Sequence, residues 1–236
     1  MRTTTLRETR LDAAHLDGNP DAPLVIPGVS EEEYYALDDD IRYQYLDGDL
    51  VMEPIGFLHD GLNVFVCCLL KEYVYAREPL GAGTVVTSAG FPMRLDPKWS
   101  PQPDVMVIRG ERRHLVSRQR LEGPADLAIE IASYSHPRID LKRKLPRYRQ
   151  ARVPEIWVIE PYAKFVQVEV LRAVHALPAD GSPGRPTGDA SGAYETRTMS
   201  AGRLTTAALP GFWLEVSWLW QDPLPSVLAC LRQILA

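Results

Sequence analysis

Hydrophobic residues recur at two different spacings along the chain, and these spacings predict helices and strands respectively. Between residues 58 and 76 they return every three or four positions, which predicts one long and largely buried helix. A shorter helix is predicted after Ser30, because a serine cap followed by three acids is typical of a helix start. Two further helices are predicted over residues 139–151 and 225–235.

Strands are predicted where apolar residues run almost without interruption. Asp104–Ile108 and Leu127–Ala132 are the most apolar of these runs, which is typical of strands covered on both faces of an α/β sheet. Asp47-Gly48, flanked by runs at 43–46 and 49–52, predicts a tight hairpin. The remaining predicted strands lie at 84–88 and 90–95, interpreted as neighbours, at 155–160 and 165–171, from 194 onward, and within 209–220.

This order of elements predicts one α/β domain with a mixed sheet flanked by helices. Residues 1–28 are polar and proline-rich, so they are interpreted as a loose leader, and residues 29–236 as a single domain. Residues 178–193 are rich in Pro, Gly, Asp and Ser and predict a flexible hairpin loop within that domain.

Composition narrows the class of protein. The 236 residues are 45% hydrophobic and 24% charged, which is ordinary for a globular protein. No apolar stretch approaches the roughly 18–20 residues of a membrane-spanning helix, and the first residues lack the apolar core of a secretory signal. The three cysteines have neither a disulfide pattern nor a zinc spacing. A cytoplasmic protein without a membrane partner is therefore expected.

The net charge of −5 hides an uneven distribution. Residues 1–60 hold 14 acidic and 4 basic side chains, whereas residues 109–152 hold 12 basic and 5 acidic ones. A local basic surface can bind a polyanion even when the whole protein is acidic, but an ordinary solvated surface has the same composition.

Two acids lie in unusually apolar surroundings. Asp104 opens one predicted strand, and Glu130 lies between Ile129 and Ile131 inside another. A carboxylate placed there is costly unless it is paired, protonated or bound to a metal. Taken singly, Asp104 fits a strand start and Glu130 fits a pair with an arginine. Taken together on neighbouring strands, the two predict a site for Mg²⁺ or Mn²⁺.

Lys144 is the third candidate. In a helix that begins near Ile139, Lys144 shares one face with Leu141, Leu145 and Tyr148 and therefore points toward the core. A lysine beside two acids can orient water and stabilise charge on a phosphoryl group. The alternatives are an ion pair between Asp140 and Lys144, and a helix that begins only near Leu145 because proline is poorly tolerated inside a helix.

Six segments of the chain, taken in order, resemble the Uma-two family of restriction-endonuclease-like proteins in the PD-(D/E)XK nuclease superfamily. They are Tyr45–Pro54 with His59, Pro103–Val105, Leu127–Ser135, the set Asp140, Lys144 and Tyr148, Val153–Ile159, and Leu209–Phe212. The resemblance implies a restriction-endonuclease-like fold with a mixed central sheet. It implies Asp104 and Glu130 as metal ligands, with Asp49 in the place of a hairpin glutamate.

The same resemblance places Ala132 where the superfamily usually has its lysine, so that role falls to Lys144. His59 is a candidate proton carrier or substrate contact, with a hydrogen bond at the helix start as the alternative.

The main functional hypothesis is a nuclease that depends on a divalent metal ion and acts on DNA. In this hypothesis the basic segment 138–152 contacts phosphates. The alternative is a weakly active or inactive nucleic-acid-binding or regulatory protein.

The tryptophans favour packing over base stacking. Trp157, Trp213, Trp218 and Trp220 are interpreted as core or interface aromatics. An assembly through residues 213–220, such as a homodimer, is the remaining structural hypothesis.

Overall fold

The fold is described from a computed structural model that covers residues 23–37, 43–77, 83–88, 90–133, 139–172 and 193–236. Most of the predicted leader, residues 1–22, and most of the predicted loop, residues 178–192, lie outside the described residues.

Four helices and fourteen strands are present in these ranges. The helices are α1 (Glu31–Tyr35), α2 (Phe57–Arg77), α3 (Ile139–Gln150) and α4 (Val227–Leu235). The strands are β1 (Leu24–Ile26), β2 (Gln44–Leu46), β3 (Asp49–Met52), β4 (Val85–Ser88), β5 (Met93–Arg94), β6 (Trp99–Ser100), β7 (Val105–Ile108), β8 (Leu121–Glu122), β9 (Leu127–Ile131), β10 (Glu155–Glu160), β11 (Phe165–Leu171), β12 (Tyr194–Met199), β13 (Arg203–Thr205) and β14 (Trp213–Glu215). Two 3-10 helices span Gly110–Leu115 and Val216–Trp220.

A six-stranded mixed sheet forms the centre, in the order β12-β11-β10-β9-β7-β4. Of its five pairs of adjacent strands, β9 and β10 are parallel and the other four pairs are antiparallel. Helices α2 and α4 pack on one face, and α3 packs on the other. The predicted mixed sheet flanked by helices is confirmed.

Both faces of the central strands are buried, which explains their apolar runs. Val107 and Ile129 contribute to the core under α2, whereas Met106 and Ala128 contribute to the core under α3. Glu130 alternates with Ile129 and Ile131 and so belongs to the α3 face, where Val158 of β10 lies beside it in register.

The N-terminal part forms a second, four-stranded sheet in the order β1-β3-β2-β6. Its β2–β3 hairpin turns through Asp47 and Gly48, both with positive φ, as the Asp-Gly pair predicted. Ser30 caps α1 in a reciprocal capping box with Glu33. Strand β1 was not predicted, and it pairs with β3 from within the segment assigned to the leader.

Two predictions about strands were wrong. Strands β4 and β5 are not neighbours, because β4 pairs with β7 in the central sheet while β5 pairs with β8 in a separate one. The tryptophan-rich segment is a strand only as far as Glu215 and continues as a 3-10 helix. Trp218 is buried in the core there, against Trp213.

Cys67 and Cys230 are buried free thiols, whereas Cys68 is exposed. In the ranges that the structure describes, no helix combines the length and the apolar character needed to cross a membrane.

Candidate metal centre

The register of β7 against β9 brings the two candidate acids together. Val105 pairs with Ile129 and Val107 with Leu127, and Asp104 immediately precedes β7. Its carboxylate accepts a hydrogen bond from the main-chain N–H of Ile131, the residue after Glu130. The two acids therefore lie at the same end of two neighbouring strands.

Asp104 is held from two sides. Its Oδ2 accepts hydrogen bonds from the main-chain N–H of Ile131, at 2.7 Å, and from His59 Nε2, at 3.2 Å. Its main-chain carbonyl accepts from Asn63 Nδ2 at 3.2 Å. Because His59 and Asn63 are four residues apart on α2, two successive turns of that helix fix the position of Asp104.

Glu130 is almost completely buried, at 3% exposure, and both of its carboxylate oxygens have partners. Lys144 Nζ lies 3.0 Å from Oε2, and the Tyr148 hydroxyl donates to Oε1 at 2.5 Å. Lys144 itself is only 2% exposed, so the two charges neutralise each other inside the protein. A buried ion pair of this kind depends on its full set of hydrogen bonds.

Helix α3 delivers both partners of Glu130 from the face that the sequence predicted. Leu141, Lys144 and Tyr148 are buried at helical spacing, while Lys142 is exposed. The helix begins at Ile139 and continues through Pro146, which is exposed and does not end it. Lys144 pairs with Glu130; the side chain of Asp140, its alternative partner, lies outside the described part.

The pKa of His59 is affected by both candidate acids. Burial by itself lowers the pKa of His59, but the hydrogen bond and charge of Asp104, together with the charge of Glu130, outweigh burial and raise the pKa above its ordinary value. Lys144 opposes this rise. His59 Nδ1 is buried and has no hydrogen-bond partner within the described residues.

Asp49 opens β3 and is partly exposed. Its Oδ2 lies 3.7 Å from Arg143 Nη2, and the same guanidinium donates to the main-chain oxygen of Leu46 at 3.1 Å. The structure thus ties Asp49 to α3 through Arg143.

The donor chemistry suits a hard divalent cation. Oxygen ligands predominate, because Asp104 and Glu130 lie on neighbouring strands and His59 is hydrogen-bonded to Asp104. Within the described ranges, no three His, Cys, Asp or Glu side chains converge as a metal-binding cluster, so Asp49 does not join Asp104, Glu130 and His59 in one. A cation held by Asp104 and Glu130 alone would keep several water molecules.

Two residues, Tyr148 and Asn63, contact the candidate acids but were not assigned to the site from the sequence. Tyr148 lies on the same buried helix face as Lys144, and this four-residue spacing could have indicated that it contacts the site. Asn63 is a polar residue inside the apolar stripe of α2 and lies one turn after His59. By contrast, Arg149 from the basic segment makes a bidentate pair with the fully buried Glu169, at 2.6 and 2.7 Å, and is structural.

Tyr148→Phe removes a hydrogen bond to a buried carboxylate and should lower the free energy of unfolding by about 1.5–3 kcal/mol. Urea denaturation followed by tryptophan fluorescence measures this difference. Tyr75→Phe is the matched control, because Tyr75 is 73% exposed and should cost little. Equal stability of the two variants would show that the hydroxyl of Tyr148 does not support Glu130.

Comparison with known proteins places the chain in a family. The family model named Uma2 and described as "Putative restriction endonuclease" matches residues 31–183, which is more than half of the chain. The fold is similar to that of a putative nuclease belonging to DUF820 from Anabaena variabilis ATCC 29413. The TM-score is 0.57 at 14% identity, over 81% of this chain and 97% of that one. No curated protein matches significantly. The chain therefore belongs to the Uma2 family of restriction-endonuclease-like proteins.

Proposed function

We propose that the protein is a divalent-metal-dependent endonuclease that hydrolyses phosphodiester bonds in DNA. The observation that carries this proposal is that Asp104 and Glu130 lie at the same end of two neighbouring strands, with the Asp104 carboxylate bonded to Ile131 N–H and Lys144 paired with Glu130. Membership of the Uma2 family supports the same reaction class.

Asp104 and Glu130 would hold Mg²⁺ or Mn²⁺. The ion, when bound, lowers the pKa of a water molecule and neutralises charge on the scissile phosphate. The protein's contribution is to hold Asp104 in place through Ile131 N–H and His59, so that no reorganisation is needed when substrate arrives.

Lys144 and His59 have separate roles in this proposal. Lys144 supplies a fixed positive charge next to Glu130, which stabilises the additional negative charge that develops on a phosphoryl group. His59 would orient Asp104 through Nε2, and in its protonated form it would carry an exchangeable proton at Nδ1. Both side chains are mostly buried, which strengthens their electrostatic effect.

The direct experiment incubates the purified protein with plasmid, linear and single-stranded DNA in Mg²⁺ or Mn²⁺ and follows cleavage by gel electrophoresis. We expect cleavage that requires the cation and stops when EDTA is added. Intact DNA of every form, over a range of pH and salt, would contradict the proposal.

A second candidate function is a nucleic-acid-binding protein without catalysis. The observation that favours it is the occupancy of both Glu130 oxygens by Lys144 and Tyr148, which satisfies the carboxylate without a cation. Calorimetric titration with Mn²⁺ separates the two candidates. Heat of binding that disappears in Asp104→Ala supports the nuclease, whereas no heat from the unaltered protein supports the alternative.

A further inference from the structure

Helix α3 presents two arginines toward the N-terminal sheet, away from the buried lysine. Arg143 and Arg147 are one turn apart and are partly exposed. Arg143 contacts Leu46 and Asp49 in the β2–β3 hairpin. The guanidinium of Arg147 lies over the ring of Trp99 in β6, 4.7 Å from its centroid. The same helix that places Lys144 in the site therefore places a second cation over an aromatic ring.

The side chain of Trp99 is held in place by packing rather than by hydrogen bonding. It is 4% exposed, yet its indole N–H has no hydrogen-bond partner among the described residues, which is unfavourable for a buried donor. Packing against Leu46 and Val51 offsets that cost. The ring is thereby fixed as a platform beneath Arg147.

Arg147 keeps its positive charge available. In the part of the chain that the structure describes, its polar contact is a hydrogen bond from Nη1 to Gln150 Oε1 at 3.1 Å, and no carboxylate neutralises it. A guanidinium has five N–H donors, so the others remain free for an anion. Stacking on Trp99 limits the motion of the side chain and reduces the entropy lost on binding.

We propose that Arg147, supported by Trp99, binds a phosphate of the nucleic-acid backbone beside the scissile one. The backbone then runs along α3 past Lys144 and Arg147, which are three residues apart on that helix. This inference rests on the proposed function and assigns part of the path of its substrate.

The test measures binding of fluorescently labelled DNA by anisotropy in Ca²⁺ at several salt concentrations. Arg147→Gln should weaken binding by roughly 5- to 10-fold at about 0.1 M salt and reduce the slope of log K against log salt by about 0.9, the value for one phosphate contact. Arg203→Gln is the matched control, because Arg203 also stacks on a tryptophan, Trp213, at 4.0 Å, in a different sheet. It should leave both quantities unchanged.

Arg147→Lys retains the charge and should keep the salt slope, while a folded state is confirmed for every variant by circular dichroism. If the unaltered protein binds DNA and Arg147→Gln binds with the same slope, the inference is overturned and the proposed function stands. If the unaltered protein neither binds nor cleaves any DNA, the proposed function fails and this inference fails with it.

Discussion

Asp104→Asn should reduce DNA cleavage by about 100-fold or more and leave the fold intact. The asparagine oxygen can still accept the hydrogen bond from Ile131 N–H, so the strand end is preserved. The lost negative charge removes a ligand for the cation, and metal assistance contributes several kcal/mol to such reactions. Initial rates of plasmid nicking in Mg²⁺ measure the effect, and thermal unfolding verifies the fold.

Asp126→Asn is the matched control for this substitution. Asp126 also immediately precedes a central strand, accepts a main-chain N–H, from Arg109 at 2.8 Å, and pairs with a basic side chain, Arg112 at 3.1 Å. It lies at the opposite end of β9 from Glu130. Its variant should cleave at the unaltered rate. Equal rates for Asp104→Asn and the unaltered protein would exclude Asp104 from the reaction.

The affinity for Mn²⁺ provides a readout of the same variant that does not depend on turnover. We expect Asp104→Asn to weaken Mn²⁺ binding by at least about 10-fold in calorimetry, because one of two carboxylate ligands is gone. Asp126→Asn should bind the ion unchanged. Unchanged affinity in Asp104→Asn would place the cation elsewhere, even if cleavage is lost.

Lys144→Met should produce the largest loss of stability, about 3–5 kcal/mol in free energy of unfolding at neutral pH. Methionine fills a similar volume, so the cost comes from leaving the Glu130 carboxylate buried without its cation. The hydroxyl of Tyr148 remains as a partner but carries no charge. Urea denaturation measures the change, and the same variant should lose cleavage.

A double-mutant cycle distinguishes this cause from a general effect of the substitution. Lys144→Met with Glu130→Gln removes both charges and should recover most of the stability lost in the single variant. Lys142→Met changes an exposed lysine on the same helix and should stay within about 0.5 kcal/mol of the unaltered protein. If Lys144→Met and Lys142→Met were equally stable, the buried pair would have no energetic importance.

The two experiments separate chemistry from structure at one site. Loss of cleavage in Asp104→Asn without loss of stability supports catalysis. A large loss of stability in Lys144→Met, in a protein that never cleaves DNA, supports the alternative of a binding protein whose buried pair is structural.

Local sequence patterns predicted most elements of the fold correctly. The α2 helix, the Asp-Gly hairpin and strands β10 and β11 depend on residues close together in the chain, and these were predicted to within a residue or two. The neighbours of β4 and β5 were predicted wrongly, because pairing between strands depends on contacts that local propensity does not encode. The pairing of β1 with β3 was not predicted for the same reason.

By itself, the sequence predicted that Asp104 opens one apolar strand and that Glu130 lies within another, and it favoured an inward-facing Lys144, because burial follows the hydrophobic period. Only the tertiary structure decided that the two acids lie at the same end of neighbouring strands, that Lys144 and Tyr148 both contact Glu130, and that His59 contacts Asp104. A shift of one residue in the pairing of β7 with β9 would move one acid to the other face of the sheet. That register is set by the packing of the whole core, so no local pattern could fix it.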